Sequence, residues 1–395
     1  MSHMDTGIPG LQVGFRCEQY TFFSNADTND DWCSRESKIS LRHEMMGEIM
    51  FAQWLLPYNQ IVAQWIDPFY DAGADSHSSI MGNIGGETRG VNVPGGFTGA
   101  FYAGSFGGFA AGDNYGALSF NRRQEGIVQY VWPNTAAMGD QNRDGFQFRF
   151  AVTDGSATDE EIIYNQGTNT ERKATLDPRI MSTGVAYQHN MGAHQIWIAA
   201  AYEQHEDTTA SILRNVAKCA DSEDEGIRLA GRYKHDWGNG QTTYIAGMYE
   251  ELDYDSTGCT DVNDADFTFD NPAPIWTGVE RDAWMISGKH AFGNGLDIRA
   301  SYMDGDDLEC DGDVCRDNPA TANVNERAEA ERNTGADAFN IGLFYTMPAG
   351  TELRATYSEV SNEANAGYDF GIGVSGVPQG EDVEMFAVGI VHWFD

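Results

Sequence analysis

Between residues 146 and 152 the chain changes character at every step. Phe146, Phe148, Phe150 and Val152 fall on one side of an extended backbone, and Gln147, Arg149 and Ala151 fall on the other. A repeat of two marks a β-strand, whose successive side chains point to opposite faces. The same alternation recurs along the chain. Ile227, Leu229 and Tyr233 oppose Arg228, Arg232 and Lys234; Leu296, Ile298, Ala300 and Tyr302 oppose Asp297, Arg299 and Ser301. Phe339, Ile341, Leu343 and Tyr345 oppose Asn340 and Gly342, and Leu353, Ala355 and Tyr357 oppose Glu352, Arg354 and Thr356.

The connections decide what kind of β-protein this is. One set is very short: MGAH at 191–194, GNG at 238–240, GNG at 293–295 and PAG at 348–350. The other is long and acidic, as at 255–279 and 304–337. Short and long take turns, which a two-sheet sandwich has no reason to do. It is the pattern of a membrane barrel, with tight turns on one side and long loops on the other. In hydrocarbon an unpaired backbone N–H or C=O costs several kcal/mol, so strands there close into a ring. Apolar faces then meet lipid, and repeated arginines, costly in a dry core, line a wet interior. No run approaches about 18 apolar residues, so no transmembrane helix is expected, whereas barrel strands need only about 9–11 residues. Tyr187, Tyr233, Trp237, Tyr302 and Trp393, near strand ends, fit interfacial girdles. The predicted fold is all-β, a transmembrane antiparallel barrel with about fourteen identifiable strands: 11–23, 34–46, 47–57, 119–133, 145–153, 178–190, 194–205, 226–237, 240–254, 280–291, 295–304, 337–347, 351–361 and 383–394.

A net charge of −36, from 60 acidic and 24 basic residues, excludes nucleic acid as a natural partner. Acidic runs such as DSEDEG and DGDDLECDGD read as solvated loops between the patterned stretches. The six cysteines suit disulfides in an oxidising compartment, with Cys17 and Cys33, Cys219 and Cys259, and Cys310 and Cys315 as nearby candidates whose connectivity stays open. No Cys/His spacing marks a zinc site. DTNDDW and DVNDADF lack the Gly and final Glu of an EF-hand loop, so no metal or cofactor is expected. Catalytic motifs are absent, and His43 beside Glu44 or His205 beside Glu206 read as surface neighbours, so no enzyme is expected. MSHMDTGIPG has neither the basic nor the apolar region of a signal peptide. Either a leader has been removed or the chain begins within a longer gene product.

Three stretches resemble the Gram-negative general porins. VEMFAVGIVHWF, with Phe386, Val388, Ile390, His392 and Phe394 at alternate positions, is similar to that family's closing strand and its insertion signature, with Asp395 one residue beyond. SRESKISLRHEMMGEIMFAQWLLPYN and SFNRRQEGIVQYVWP followed by GFQFRFAV resemble the hairpins before and after its constriction loop. GLQVGFRCEQY resembles the family's third strand, so the first two of its sixteen strands look missing. The resemblance implies one barrel domain over 1–395 in the bacterial outer membrane. It would be a homotrimer among lipid and lipopolysaccharide, passing small hydrophilic solutes and ions by passive diffusion. A substrate-selective channel for a small anionic or sugar-like nutrient, or a surface receptor or adhesin barrel, are the alternatives.

The resemblance also implies that residues 58–118 fold into the barrel as its constriction loop. Asp67, Asp71 and Asp75 would be the loop acids, facing Arg16, Lys38, Arg42, Arg123 and Arg149 on the wall. Opposed charges of this kind set a transverse field across a pore. The acidic outer mouth favours cations.

Overall fold

The computed structural model describes residues 2–18, 33, 36–70, 79–82, 92–93, 97–98, 120, 123–133, 144–154, 160–165, 170–175, 179–206, 221–257, 276–312, 333–348, 350–364, 366–368, 370 and 380–392. Its main sheet is antiparallel and follows chain order throughout. The strands are β1 (Ser2–Asp5), β2 (Leu11–Glu18), β3 (Glu36–His43), β4 (Gly47–Leu55), β5 (Arg123–Trp132), β6 (Gly145–Thr153), β7 (Arg179–Met191) and β8 (His194–Glu206). They continue as β9 (Asp221–Gly238), β10 (Gln241–Thr257), β11 (Trp276–Phe292), β12 (Leu296–Gly305), β13 (Glu309–Gly312), β14 (Ala336–Thr346), β15 (Thr351–Asn362) and β16 (Val383–His392). Strand β13 pairs only beside β11, off the main path.

All fourteen predicted strands are present. Strands β1 and β13 are additional, each only four residues long and without a legible alternation. GLQVGFRCEQY therefore forms the second strand, paired on one side with Ser2–Asp5. The acidic run DSEDEG is corrected from loop to strand: it is the start of β9, in register with Glu206–Glu203 of β8 and Thr257–Leu252 of β10. Ladder hydrogen bonds to both neighbours outweigh the poor strand propensity of its acids. Cys17 and Cys33 form a disulfide. Cys219, Cys259 and Cys315 lie outside the described residues.

Polarity runs opposite to that of a water-soluble fold. Phe146, Ile198, Leu229, Ile245 and Leu343 are each more than half exposed, while Gln147, Arg149, Arg228, Glu250 and Arg281 are buried. One face of the wall is thus a continuous aliphatic and aromatic band, suited to lipid. Tyr233 and Trp237 lie on that face at the short-turn end of β9; Trp393 lies outside the described residues. The turn after β9 needs Gly-Asn-Gly because Gly238, Asn239 and Gly240 all have positive φ, a region other side chains rarely adopt.

The sheet is strongly curved. Among the described residues a single nine-residue helix, α1 (Pro57–Trp65), lies on its polar face. Gln60 bonds Gln129 of β5 and Arg149 of β6, while the Ile66 carbonyl accepts from Ser287 of β11. On a flat sheet β5 and β11 would lie about 29 Å apart, and six helical residues span only about 9 Å. The strands must therefore wrap around the helix. Among the described residues β1 pairs only with β2 and β16 only with β15. Along β16, Phe386, Val388 and Ile390 are 72–74% exposed, more than any exposed large hydrophobic residue of β5–β15.

The lipid-facing band predicts that Leu229→Arg, at mid-strand in β9, lowers stability in lipid vesicles by about 2–4 kcal/mol. On a surface in water the same change would cost no more than about 0.5 kcal/mol. Urea titration in vesicles distinguishes the two.

Candidate functional site

The inner face holds a folded-in segment whose signal was present in the sequence. Tyr58, Ile61, Val62, Trp65, Ile66 and Phe69 recur at helical spacing, and Pro57 stands in the first turn, where its missing N–H costs nothing. The segment 58–118, expected as a loop, thus begins in a helix, α1. All six of those residues are buried, with Ile80, Met81 and Phe120. Asn92–Val93 and Phe97–Thr98 pair as a short hairpin; the rest of the Gly-rich run lies outside the described residues.

Wall side chains grip this segment along its length. Tyr58 N donates to Ser182 Oγ at 3.0 Å. Arg149 Nη1 donates to Gln60 Oε1 at 2.7 Å. The Arg232 guanidinium lies 4.4 Å from the Trp65 ring centre, and Trp65 stacks on Trp197 at 5.8 Å. Ser287 Oγ donates to Ile66 O at 2.5 Å, Arg299 Nη1 to Pro68 O at 2.9 Å, and Arg281 Nη2 to Ile80 O at 2.8 Å. Two wall glycines make room: a Cβ at Gly184 would sit 2.9 Å from Ile61, and one at Gly226 2.9 Å from Tyr58.

Glu250 is the node of this arrangement. It is fully buried in β10, directly across from Arg228 of β9, and the two form an ion pair. Its Oε2 accepts from Tyr58 Oη at 3.0 Å, and its Oε1 accepts from Gly82 N at 2.5 Å. Phe120 N donates to Gly82 O at 3.0 Å, and the Phe120 ring lies 5.4 Å from that of Tyr58. One carboxylate therefore gathers the start, the middle and, through Gly82, the end of the segment. The guanidinium of Arg228 also lies 4.0 Å from the Tyr58 ring centre, a favourable cation–π placement. Burial, and then the neighbouring Glu250 carboxylate, hold the Tyr58 phenol well above its ordinary range.

A second segment packs in after β15. Tyr368 and Phe370 are buried there, and Arg281 Nη1 donates to Tyr368 Oη at 2.8 Å. His205 departs from its reading as a surface neighbour of Glu206. It is fully buried, with Nε2 2.9 Å from Glu203 Oε1 and its ring stacked 4.3 Å from Phe120. The strand's repeat of two pairs it with Glu203 on the inner face and turns Glu206 elsewhere.

Of the predicted loop acids, Asp67 is buried and its Oδ1 accepts from Phe69 N at 2.8 Å; Asp71 and Asp75 lie outside the described residues. Of the wall cations, Arg16, Lys38 and Arg42 come together on β2 and β3. Arg16 pairs with Glu18 and, at 3.0 Å, with Glu36; Lys38 lies 3.6 Å from Glu48; Arg42 Nη2 donates to Gln12 Oε1 at 2.6 Å. Arg16 and Lys38 both stand over the Trp54 ring. Arg149 holds the helix on another part of the wall. Arg123 begins β5, its side chain outside the description. At the C-terminus Phe386, Val388 and Ile390 share the outer face, His392 Nδ1 is 2.8 Å from Thr351 Oγ1, and Phe394 lies outside the described residues. The residues that do most to fasten the segment, Arg228, Glu250, Arg281 and Arg299, were not singled out. Arg228 and Arg299 already stood on the polar side of the alternation.

Comparison with known proteins agrees with this architecture. A family profile described as Gram-negative porin matches residues 4–365. No curated protein sequence matches the chain. Among solved structures, an anion-selective porin from Comamonas acidovorans is similar at 16% identity and TM-score 0.61, over 99% of this chain and 87% of that one. Outer-membrane-expressed OmpT of Vibrio cholerae is similar at 11% identity and TM-score 0.49, over 98% of this chain and 86% of that one.

Two outcomes are expected. Glu250→Ala strands Arg228 in a buried site and should cost about 3–5 kcal/mol; single channels should become larger and noisier as the segment loosens, read in planar bilayers. The Tyr58 phenol keeps its proton in the fold while unfolded tyrosines lose theirs near about pH 10. The native state then binds more protons than the unfolded one, so this contribution to stability is level below that pH and falls above it. Tyr58→Phe should flatten the alkaline fall in a pH series of thermal unfolding.

Proposed function

Since the chain belongs to the Gram-negative porin family and forms a channel in the bacterial outer membrane, we propose that it is a general diffusion pore for small hydrophilic solutes and ions. The segment beginning at α1 is its constriction. The fastening of that segment to β5–β12 leaves the wall of β2 and β3, with Arg16, Lys38 and Arg42, as the other side of the passage. One observation carries the general reading: several of the described basic side chains of the lumen stand beside acids. Lys289 and Arg299 share Asp297, Arg299 and Arg354 share Glu352, Lys38 has Glu48, and Arg16 has Glu18 and Glu36. Such a mosaic orients water and dipoles but builds no single-signed pocket for one nutrient.

The whole of 1–395 is read as one barrel domain, working as a homotrimer. The long acidic connections face outward and meet lipopolysaccharide through shared divalent cations. Their excess of acid enriches cations at the mouth. The test is conductance in planar bilayers with salt gradients. Current should rise linearly with voltage, sugars and phosphate should not block it saturably, and the reversal potential should favour potassium. Saturable block by one solute class would replace the general pore by a selective one, and a chloride preference would overturn the cation assignment.

A further inference from the structure

On the outer face, at the short-turn end of the wall, two histidines stand in direct register. His194 opens β8 and His235 lies near the end of β9, and the two are Cα partners in the ladder. Side chains directly opposite across an antiparallel pair share a face, with Cβ atoms about 4.5–5.5 Å apart. Here the rings converge. His194 Nδ1 and His235 Nδ1 are 3.2 Å apart, with ring centres at 4.6 Å. The pair is set by rigid backbone, since Asp236 N donates to Ala193 O at 2.8 Å across the adjoining turn.

Two nitrogens at this distance match adjacent ligands of one metal ion. Imidazole nitrogens about 2.0–2.1 Å from a tetrahedral ion lie about 3.4 Å from each other, and slightly less at a right angle. Hydrogen bonding alone leaves the site over-supplied. Tyr233 Oη also lies 2.6 Å from His194 Nδ1, and that nitrogen can take or give only one hydrogen bond. A cation between the two nitrogens relieves that competition. We propose that His194 and His235 form a two-nitrogen site for a divalent transition metal that prefers imidazole, copper or zinc, with solvent at the remaining positions.

The next histidine along the same row is not a ligand. His235 is in register with Thr243, and Thr243 with His290. Thr243 Oγ1 lies 2.7 Å from His290 Nδ1 and accepts from Trp237 Nε1 at 2.8 Å, so His290 is held by the hydroxyl. Among the described residues there is no cluster of three or more histidine, cysteine or acidic side chains suited to a metal, which makes this an open, bidentate site. Its ligands are 41 residues apart and leave no motif in the sequence.

The test uses the assembled protein in detergent, titrated with Cu2+ and followed by electron paramagnetic resonance. Wild type should bind one tight equivalent per chain with the hyperfine pattern of two nitrogens. His194→Ala and His235→Ala should each weaken that binding by about 100-fold, as the chelate becomes a single donor, and His290→Ala should leave it unchanged. If either variant fails to assemble, carbethoxylation of the wild type reads the same site: Zn2+ should protect His194 and His235 while His290 still reacts. A spectrum without two nitrogens, affinities unchanged in both variants, or equal protection of all three histidines would overturn the assignment.

Discussion

Everything in this molecule depends on the backbone having no water to turn to within the membrane. Each N–H and C=O there must find a partner on the neighbouring strand, and the unbroken ladder from β1 to β16 is the result. That ladder leaves the side chains little choice. A strand has two faces, one of them meets hydrocarbon, and every charge must go to the other. The consequence is a wall whose exposed residues are Phe146, Leu229 and Ile245 and whose buried ones are Arg149, Arg228 and Glu250.

A polar inner wall creates a second requirement. A segment that enters the lumen brings backbone groups of its own, and these need partners as much as the strands do. Wall arginines supply them, giving N–H groups to the carbonyls of Pro68 and Ile80 and to the side chain of Gln60. Helix α1 satisfies most of its own backbone and offers the wall an apolar stripe. The segment is thus held partly by packing, as with Trp65 on Trp197, and partly by charge, as at Glu250. Charge fixes its position more sharply, because a buried carboxylate tolerates few arrangements of its donors.

How much of this was legible depended on how local the cause was. Strand positions follow from alternation, a property of neighbouring residues, and all fourteen predicted strands are found. DSEDEG was misread because its pairing is set by strands some twenty and thirty residues away, which override the preference of acids for loops. Helix α1 was missed although Tyr58, Ile61, Val62 and Trp65 carry its period, because a Gly-rich run of low complexity follows it and coloured the whole segment as loop. Glu250 could not be singled out at all. Its part comes from facing Arg228 across one ladder and Tyr58 and Gly82 across the lumen, and no window of sequence contains those four residues. His194 and His235 pose the same difficulty on the outer face.

Strands β9, β10 and β11 run to 18, 17 and 17 residues, whereas about 9–11 suffice to cross the hydrocarbon. Their surplus, at the end away from the short turns, is a parapet that bears Glu223, Asp224, Glu225, Asp253 and Glu280. Among the described residues, β2 to β4 raise no such rampart, with only eight or nine residues each. Over the described residues the edge of the wall is therefore uneven. At low ionic strength a mobile ion approaching over the tall side feels a field about 30 Å deep, and at physiological strength about 8 Å. The influence of such an acidic edge therefore reaches far in dilute surroundings and shrinks as salt rises.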